Sequence, residues 1–205
     1  NIKVFQVNPH TVQVVNGRWK ENCYLISHNR RDCVVIDPGS CEEELQKVID
    51  GRGLKPEAIL CTHAHYDHVG AARGLSLAYQ APIYLHPDDL EMLEQINTYK
   101  VLFSDGDFDE IPKVSCFLSD QQKLNIAGFE IDVLHLPGHT RGSCAFLIGD
   151  DLFIGDTLVE PKHEAHPATG FEPEKLKKSL ERIRGLKLYG LVLPGHGRPF
   201  ESLGL

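Results

Sequence analysis

The sequence predicts an α/β protein, in which two β-rich halves that each carry helices form a sandwich of two sheets covered by helices. Short apolar or alternating runs separated by turn residues recur along the chain, which is typical of strands. Within the first half these runs begin to alternate with helix-like segments, so part of that sheet is predicted to be parallel. With 205 residues the chain is long enough to bury a sizeable core, and we predict one domain over residues 1–205.

The first half is predicted to open with four short strands and a helix. The apolar or alternating runs of these strands cover residues 3–7, 12–15, 23–27 and 33–36. A Pro-Gly pair at 38–39 ends the fourth strand, and residues 41–52 follow as a helix with an apolar stripe along one face. Ser40 is the predicted N-cap of this helix.

Strands and helices alternate over the next part of the chain. A short buried strand over residues 58–61 is followed by a helix over 71–79, a strand over 83–86 and a helix over 88–102. The second half is predicted to contain two hairpins, one formed by residues 122–126 and 130–136 and the other by residues 144–148 and 152–154. A helix over residues 174–183 and a final strand over 191–193 follow.

Composition and charge narrow the possible functions. A net charge of −8 with scattered Lys and Arg residues argues against a nucleic-acid partner. No apolar run approaches the length of a membrane span, so no membrane insertion is predicted. The six cysteines include no C-x-x-C pair and several lie in apolar runs, which favours free, buried thiols, a reducing compartment and a cytoplasmic location.

The residues that carry chemistry are concentrated directly after the strand predicted at 58–61. There His63, His65, Asp67 and His68 form an H-x-H-x-D-H motif. Imidazole and carboxylate groups are ligands that suit borderline metals such as zinc. At this chain's own composition, the motif is expected by chance in about two such chains per thousand. The segment therefore predicts a metal site.

Three further segments place a possible ligand just after a strand and a turn-forming residue. They are Pro137-Gly138-His139-Thr140, Gly155-Asp156-Thr157 and Pro194-Gly195-His196. Each segment alone is more often a turn with an exposed side chain. Their joint occurrence, in this order after the H-x-H-x-D-H motif, indicates that their two histidines and one aspartate belong to the same metal site.

These motifs, together with the segments 21–26 and 36–39, resemble the metallo-β-lactamase superfamily over nearly the whole chain, and its glyoxalase II-like hydrolases most of all. The resemblance implies a four-layer αββα sandwich with two divalent metal ions at one edge of the sheets. It also implies that a first ion is bound by His63, His65 and His139, and a second ion by Asp67, His68 and His196. Asp156 would bridge the two ions. Zinc is the metal most expected, with iron or manganese as alternatives.

The resemblance further implies hydrolysis of a thioester or activated ester by a hydroxide that bridges the two ions. Asp67 is the predicted catalytic residue, because it would orient this hydroxide and take its proton. The alternatives are a lactonase or β-lactamase-like hydrolase on the same site, a persulfide dioxygenase with a single iron, and a catalytically silent binding protein. The expected partner is a small-molecule acyl thioester or ester, and the sequence leaves the oligomeric state open.

Other polar residues are expected to support the ligands or the substrate. Metal-bound histidines normally donate their second ring N–H to a neighbouring acceptor, and the candidates for orienting the ligands are Asp37, Thr62 and Thr140. Asp37 is equally well explained as a turn former in its Asp-Pro-Gly segment. Lys162 is a candidate partner for a substrate carboxylate, with a solvated loop as the alternative interpretation.

Two departures from glyoxalase II enzymes bear on specificity. Those enzymes continue into a helical domain with glutathione-binding residues, whereas this chain has nine residues after His196, so that domain is expected to be absent. Residues 158–163 also depart from the family pattern. Substrate specificity is therefore expected to come from the loops 98–112 and 157–173, and recognition of glutathione stays an open question.

Overall fold

The structure, a computed structural model that describes residues 2–98, 110–160, 163–164 and 170–201, confirms the predicted α/β sandwich. One sheet has seven strands in chain order: β1 (Lys3–Gln6), β2 (Thr11–Asn16), β3 (Glu21–Ser27), β4 (Asp32–Ile36), β5 (Lys55–Leu60), β6 (Ile83–Leu85) and β7 (Cys116–Phe117). Its first four strands pair antiparallel, whereas β4 to β7 pair in parallel. The predicted parallel portion is therefore present where strands alternate with helices.

The second sheet has six strands, arranged in the order β15-β14-β11-β10-β9-β8. These strands are β8 (Lys123–Ile126), β9 (Phe129–His135), β10 (Cys144–Ile148), β11 (Asp151–Gly155), β14 (Leu191–Pro194) and β15 (Phe200–Glu201). The two predicted hairpins are the antiparallel pairs β8-β9 and β10-β11, and β14 pairs in parallel with β11. A separate ribbon joins β12 (Leu158–Glu160) to β13 (His163–Glu164).

The helices lie between strands or beside the loops that carry the metal motif. They are α1 (Glu42–Gly51), α2 (Tyr66–Val69), α3 (Ala72–Tyr79), α4 (Leu90–Glu94) and α5 (Pro173–Arg184), with a 3-10 turn at Pro87–Asp89 before α4. None of the described helices is long and apolar enough to cross a membrane.

Three apolar layers hold the sheets and helices together. Along β3, Cys23 and Leu25 face the layer beneath α1 and α3, whereas Tyr24 and Ile26 face the layer between the two sheets, because successive side chains of a strand point to opposite faces. The third layer joins the second sheet to the buried stripe of α5, which consists of Leu176, Leu180 and Ile183. The order helix, sheet, sheet, helix is the predicted αββα arrangement.

Two local predictions are wrong. Ser40 does not cap α1, because its hydroxyl donates to Glu21 Oε1 while Asn16 Oδ1 accepts from the backbone N–H groups of Ser40 and Cys41 at 3.1 and 3.3 Å. The helix predicted over 88–102 is interrupted: after the 3-10 turn, α4 ends at Glu94, and residues 96–98 are again helical. The side chain of Asp89 is buried against the neighbouring loops. Residues 99–102 of the predicted helix lie outside the described residues.

Parallel pairing gathers the functional loops at one edge of the sandwich. In the first sheet β4 and β5 run in parallel, so Asp37 and the segment that begins at Thr62 follow their carboxyl ends on the same side. In the second sheet β11 and β14 run in parallel, and Asp156 and His196 follow their carboxyl ends. Ligand sites in α/β sheets commonly lie outside the carboxyl ends of the strands.

Candidate metal centre

The structure brings the seven predicted ligands together in two clusters of three and one residue between them. The first cluster is His63, His65 and His139, and the second is Asp67, His68 and His196. Within each cluster the candidate ligand atoms lie within 4.8 Å of one another, although they come from loops far apart in the chain. This is the division of ligands that the sequence resemblance implies.

In the first cluster three ring nitrogens face one another. His65 Nδ1 lies 3.1 Å from His63 Nε2 and 3.0 Å from His139 Nε2. Burial lowers the pKa of His63 well below its usual range and lowers the pKa of His139 to about 4. Those two rings are therefore neutral near pH 7, and a neutral imidazole offers the lone pair that a metal ion requires.

In the second cluster a carboxylate takes the place of one imidazole. Asp67 Oδ2 lies 3.2 Å from His196 Nε2 and 3.7 Å from His68 Nε2, and the two ring nitrogens are 3.4 Å apart. Burial alone would raise the pKa of Asp67, but His68 and His196 hold it below its usual range. Asp67 is therefore an anion in this cluster.

Asp156 lies between the two clusters. Its Oδ2 is 3.5 Å from His139 Nε2 and 3.4 Å from His196 Nε2, and its Oδ1 is 3.5 Å from His68 Nε2. Although Asp156 is buried, which would raise its pKa, His68 and His196 hold that pKa well below the usual range. One carboxylate thus faces histidines of both clusters, which is the position of a bridging ligand.

The donors present fit two divalent cations. Asp156 Oδ1 is buried and has no hydrogen-bond partner, and no Lys or Arg among the described residues pairs with Asp67 or Asp156. Within the described residues, the positive charge next to these carboxylates comes from His68 and His196. Those rings must give up a proton to bind metal ions, and the ions would then supply the positive charge that buried carboxylates require. Imidazole and carboxylate donors suit zinc, iron and manganese.

Asp37 holds a ligand of each cluster in place. His68 Nδ1 donates to Asp37 Oδ2 at 2.9 Å, while the backbone N–H and the hydroxyl of Thr62 donate to the same carboxylate, both at 2.7 Å. Because the Thr62 hydroxyl gives its hydrogen to Asp37, its oxygen accepts from His63 Nδ1 at 2.9 Å. Because Nδ1 of both rings is occupied by these hydrogen bonds, Nε2 is the nitrogen of each ring that can bind an ion.

Asp37 also acts as a turn former, which was the alternative interpretation of this residue. Its φ of +47° lies in the left-handed region, which Asp tolerates better than most residues. Thr140 acts differently from the prediction: its hydroxyl donates to Asp89 Oδ2 at 2.8 Å and contacts Ser143 Oγ, whereas no hydrogen bond to a histidine ring is formed. It positions the backbone beside His139 rather than the ring itself.

Asp89 is a supporting residue that sequence reasoning missed. Its Oδ2 accepts from the backbone N–H of Ala64 at 2.9 Å and from the Thr140 hydroxyl at 2.8 Å, and its Oδ1 accepts from the backbone N–H of Gly142 at 2.6 Å. The side chain is buried, and it joins the loop of His63 and His65 to the loop of His139. Partners 25 and 53 residues away leave no local sequence signal.

Replacing Asp89 by Asn is expected to lower the free energy of unfolding by about 2 kcal/mol, because an amide N–H₂ would face backbone or hydroxyl donors. The measurement is urea unfolding of the metal-depleted protein, so that ion binding does not contribute. Asp88→Asn is the matched control, since the Asp88 side chain is 57% exposed. Equal stability of the two variants would contradict the assignment of Asp89.

The loop of His196 is fixed by polar side chains of the first sheet. Asn22 Nδ2 donates to the carbonyl oxygens of Pro194 at 2.9 Å and Gly197 at 3.0 Å, and the Tyr24 hydroxyl donates to the Pro194 carbonyl at 2.7 Å. Gly195 leaves the space that this close approach needs, because a Cβ atom there would lie 2.1 Å from Asp156 Oδ1. The Pro-Gly-His segment is therefore shaped around the bridging residue.

The other residues that the sequence singled out lie away from the two clusters or outside the described residues. Residues 99–109 of the first loop, and 161–162 and 165–169 of the second, lie outside the described residues. Lys162 is among them, so its predicted contact with a substrate stays a prediction. His135, at the end of β9, stacks on His86 with ring centroids 3.9 Å apart and is not part of either cluster. All six cysteines are free, and burial raises the pKa of Cys23 and Cys61 well above the usual range, so these thiols are protonated.

Comparison with known proteins agrees with this geometry. The model of the Metallo-beta-lactamase superfamily matches residues 16–196. The probable metallo-hydrolase YqgX of Bacillus subtilis is 32% identical over 191 residues, covering 91% of this chain and 90% of YqgX. The probable polyketide biosynthesis zinc-dependent hydrolase BaeB of Bacillus velezensis is 26% identical over 202 residues, covering 95% and 83%. The hydroxyacylglutathione hydrolase GloC of Haemophilus influenzae is 31% identical over 151 residues, covering 69% and 68%.

Solved structures share the same fold. The crystal structure of TTHA1623 in a di-iron-bound form matches with a TM-score of 0.82 and 37% identity, covering 92% of this chain and 93% of that one. The BLEG-1 B3 metallo-beta-lactamase matches with a TM-score of 0.84 and 27% identity, covering 92% of both chains. These similarities confirm the αββα sandwich.

Proposed function

This chain is a metallo-hydrolase that belongs to the metallo-β-lactamase superfamily, and we propose that it uses two metal ions to hydrolyse an acyl thioester or activated ester. The observation that carries this proposal is the position of Asp156, which faces His139 in one cluster and His68 and His196 in the other. A single ion could use this carboxylate from one side only, and it would leave one of the two clusters without an ion. We therefore infer that His63, His65 and His139 hold one ion and that Asp67, His68 and His196 hold the second.

Two divalent ions in these positions would lower the pKa of a shared water and polarise a substrate carbonyl. The chain's own contribution is orientation and proton handling. Asp67 and His196 keep 19% and 21% of their side chains exposed, whereas His68 is fully buried, so the centre opens on the side of these two residues. Asp67, an anion at this opening, is the group we assign to orient the attacking water and to accept its proton.

Thioester hydrolysis is the preferred reaction because the relative GloC, which matches 69% of this chain, is named a hydroxyacylglutathione hydrolase. That name describes the cleavage of an acyl group from the thiol of glutathione. The metal identity follows availability among zinc, iron and manganese: BaeB is named a zinc-dependent hydrolase, and TTHA1623 holds two irons. We further propose a small-molecule substrate, a cytoplasmic location, and no nucleic-acid or membrane partner.

β-Lactam hydrolysis is the second candidate, and the match to BLEG-1 is the observation that favours it. The same ions and the same Asp67 would serve an amide carbonyl in a strained ring as well as a thioester carbonyl. Lactones are a third carbonyl class for the same chemistry.

The test is metal quantification followed by a substrate panel. We expect two ions per chain and a kcat/KM for S-lactoylglutathione or another thioester at least about 100-fold above those for nitrocefin and a homoserine lactone, a separation of about 2.7 kcal/mol in transition-state stabilisation. Chelation should abolish the activity, and zinc, iron or manganese should restore it. One iron per chain with oxygen uptake on a persulfide would instead identify a dioxygenase, and preferred turnover of nitrocefin would identify a β-lactamase.

A further inference from the structure

An open groove adjoins the metal centre on the side of His196. It has a volume of about 770 Å³ and is formed by β1, β2, the hairpin turn between β2 and β3, and the segment Gly197–Pro199. His196 belongs both to the groove wall and to the second cluster, where its Nε2 faces Asp67 and its Nδ1 lies 3.2 Å from the Trp19 carbonyl oxygen. A substrate bound at the metal centre therefore has a channel into which its longer end can extend.

The charge of the groove is opposite to that of the chain. Its lining includes Lys3, Lys20 and Arg198 and no carboxylate, although the chain has 29 acidic and 21 basic residues. All three cations are exposed, and within the described residues none of them forms an ion pair. Cations of one sign gathered in a cleft attract an anionic ligand and hold it by charge-assisted hydrogen bonds.

The groove also offers apolar surface. Phe5 and Trp19 are 49% and 40% exposed, and both line it together with the partly buried Val15. Exposed apolar side chains that share one groove commonly mark a binding surface. The lining therefore suits a ligand with an apolar or amide-containing stem and an anionic group.

We propose that this groove binds the thiol part of the substrate and that the thiol part carries an anionic group, either a carboxylate or a phosphate. The inference rests on the proposed thioesterase function and deepens it by naming the class of leaving group. A volume of about 770 Å³ exceeds what a short acyl group fills, and thiol carriers are long, anionic molecules. The cations recognise this carrier, so the enzyme can accept several acyl groups.

The test compares thioesters that share one acyl group and differ in a single charge feature. The pairs are acyl-4′-phosphopantetheine against acyl-pantetheine, for the phosphate, and acyl-glutathione against its dimethyl ester, for the carboxylates. We expect the KM of one charged member to be about 10-fold lower than that of its neutral partner, with kcat within about 2-fold, because the charge contributes to binding and not to the chemical step. The pair that responds identifies the anion.

The variant Lys3→Glu/Arg198→Glu should raise the KM of the preferred anionic thioester about 10-fold and leave that of the neutral thioester within about 2-fold. Lys20 is kept, because its φ of +57° would add a backbone effect to any substitution. Lys47→Glu/Lys178→Glu on the exposed surfaces of α1 and α5 makes the same change in net charge away from the groove. An equal effect in this control would overturn the proposal, as would equal KM values within both pairs.

Fluorescence gives a readout that does not depend on turnover. Trp19 is the single tryptophan of the chain and lies in the groove, so non-hydrolysable S-methyl thioethers of the same carriers should change its emission in a saturable way. Saturation by the anionic thioether, but not by its neutral partner, is the expected result. No saturable change in emission would overturn the proposal. A changed oligomeric state of the Lys3→Glu/Arg198→Glu variant in gel filtration would also overturn it and would indicate that the groove is a protein interface. If no thioester is hydrolysed, the proposed function fails and this proposal with it; if thioesters are hydrolysed without regard to charge, only this proposal fails.

Discussion

Replacing Asp156 by Asn is expected to lower kcat/KM for the best substrate by about 10³-fold or more, which corresponds to roughly 4 kcal/mol of transition-state stabilisation. The amide keeps the size and one oxygen of the carboxylate but removes the negative charge that faces His139 and His196 at 3.5 and 3.4 Å. Without that charge, ions bound in the two clusters would lose the ligand that we propose they share. We therefore also expect fewer than two ions per chain by mass spectrometry of the purified protein.

The matched control for this prediction is Asp150→Asn, which makes the same chemical change at an exposed position in the β10-β11 turn. Its activity and metal content should equal those of the unchanged protein. Circular dichroism of both variants distinguishes loss of the centre from loss of the fold. An Asp156→Asn enzyme with two ions and activity within about 3-fold of the original would rule out the bridging role.

Replacing Asp37 by Asn is expected to weaken metal binding by about 10- to 100-fold and to lower the free energy of unfolding of the metal-depleted protein by about 3 kcal/mol. The amide N–H₂ would face the His68 N–H and the Thr62 hydroxyl, both of which donate to the carboxylate in the native protein. Asn tolerates the left-handed backbone of this position as well as Asp does, so the variant isolates the side-chain contacts.

Chelator competition measures the metal affinity in this experiment, and urea unfolding measures the stability. Thr62→Val serves as the graded comparison, because it removes the hydroxyl that relays Asp37 to His63 but leaves the bond from His68 to Asp37 intact. Its losses should be smaller than those of Asp37→Asn. Metal affinity of Asp37→Asn within about 3-fold of the unchanged protein would contradict the orienting role of Asp37.

Periodicity predicted most of the fold because the strands are buried on defined faces. Along β3 the alternating residues serve two different apolar layers, and such a pattern constrains both the strand and its register. The shortest elements escaped prediction: β7 and β15 have two residues each, too few for any period to emerge. The Ser40 cap was wrong because a buried glutamate, Glu21, competes for its hydroxyl from 19 residues away.

The residues of the two clusters and Asp156 between them could be found from the sequence because four of them form one dense motif after a strand, while His139, Asp156 and His196 each follow a strand and a Gly residue. The supporting contacts were only partly accessible. Asp37 and Thr62 could be named because each follows a predicted strand, and Thr62 directly precedes the H-x-H-x-D-H motif. Asp89 and the groove lined by Trp19 and Arg198 depend on loops that meet only after folding. Long-range polar contacts leave no periodic trace in a single sequence.

Each of the two clusters takes residues from both halves of the chain, with a contact between residues 74 positions apart in the first and 128 positions apart in the second. An ion bound in either cluster is therefore a cross-link that closes a very long loop. Such a cross-link exists only in the folded chain, so the ions stabilise the fold by mass action. Since neither cluster is complete until the two sheets have docked, separation of the sheets is expected to release both ions, whereas a chelator is expected to remove the ions from sheets that stay docked.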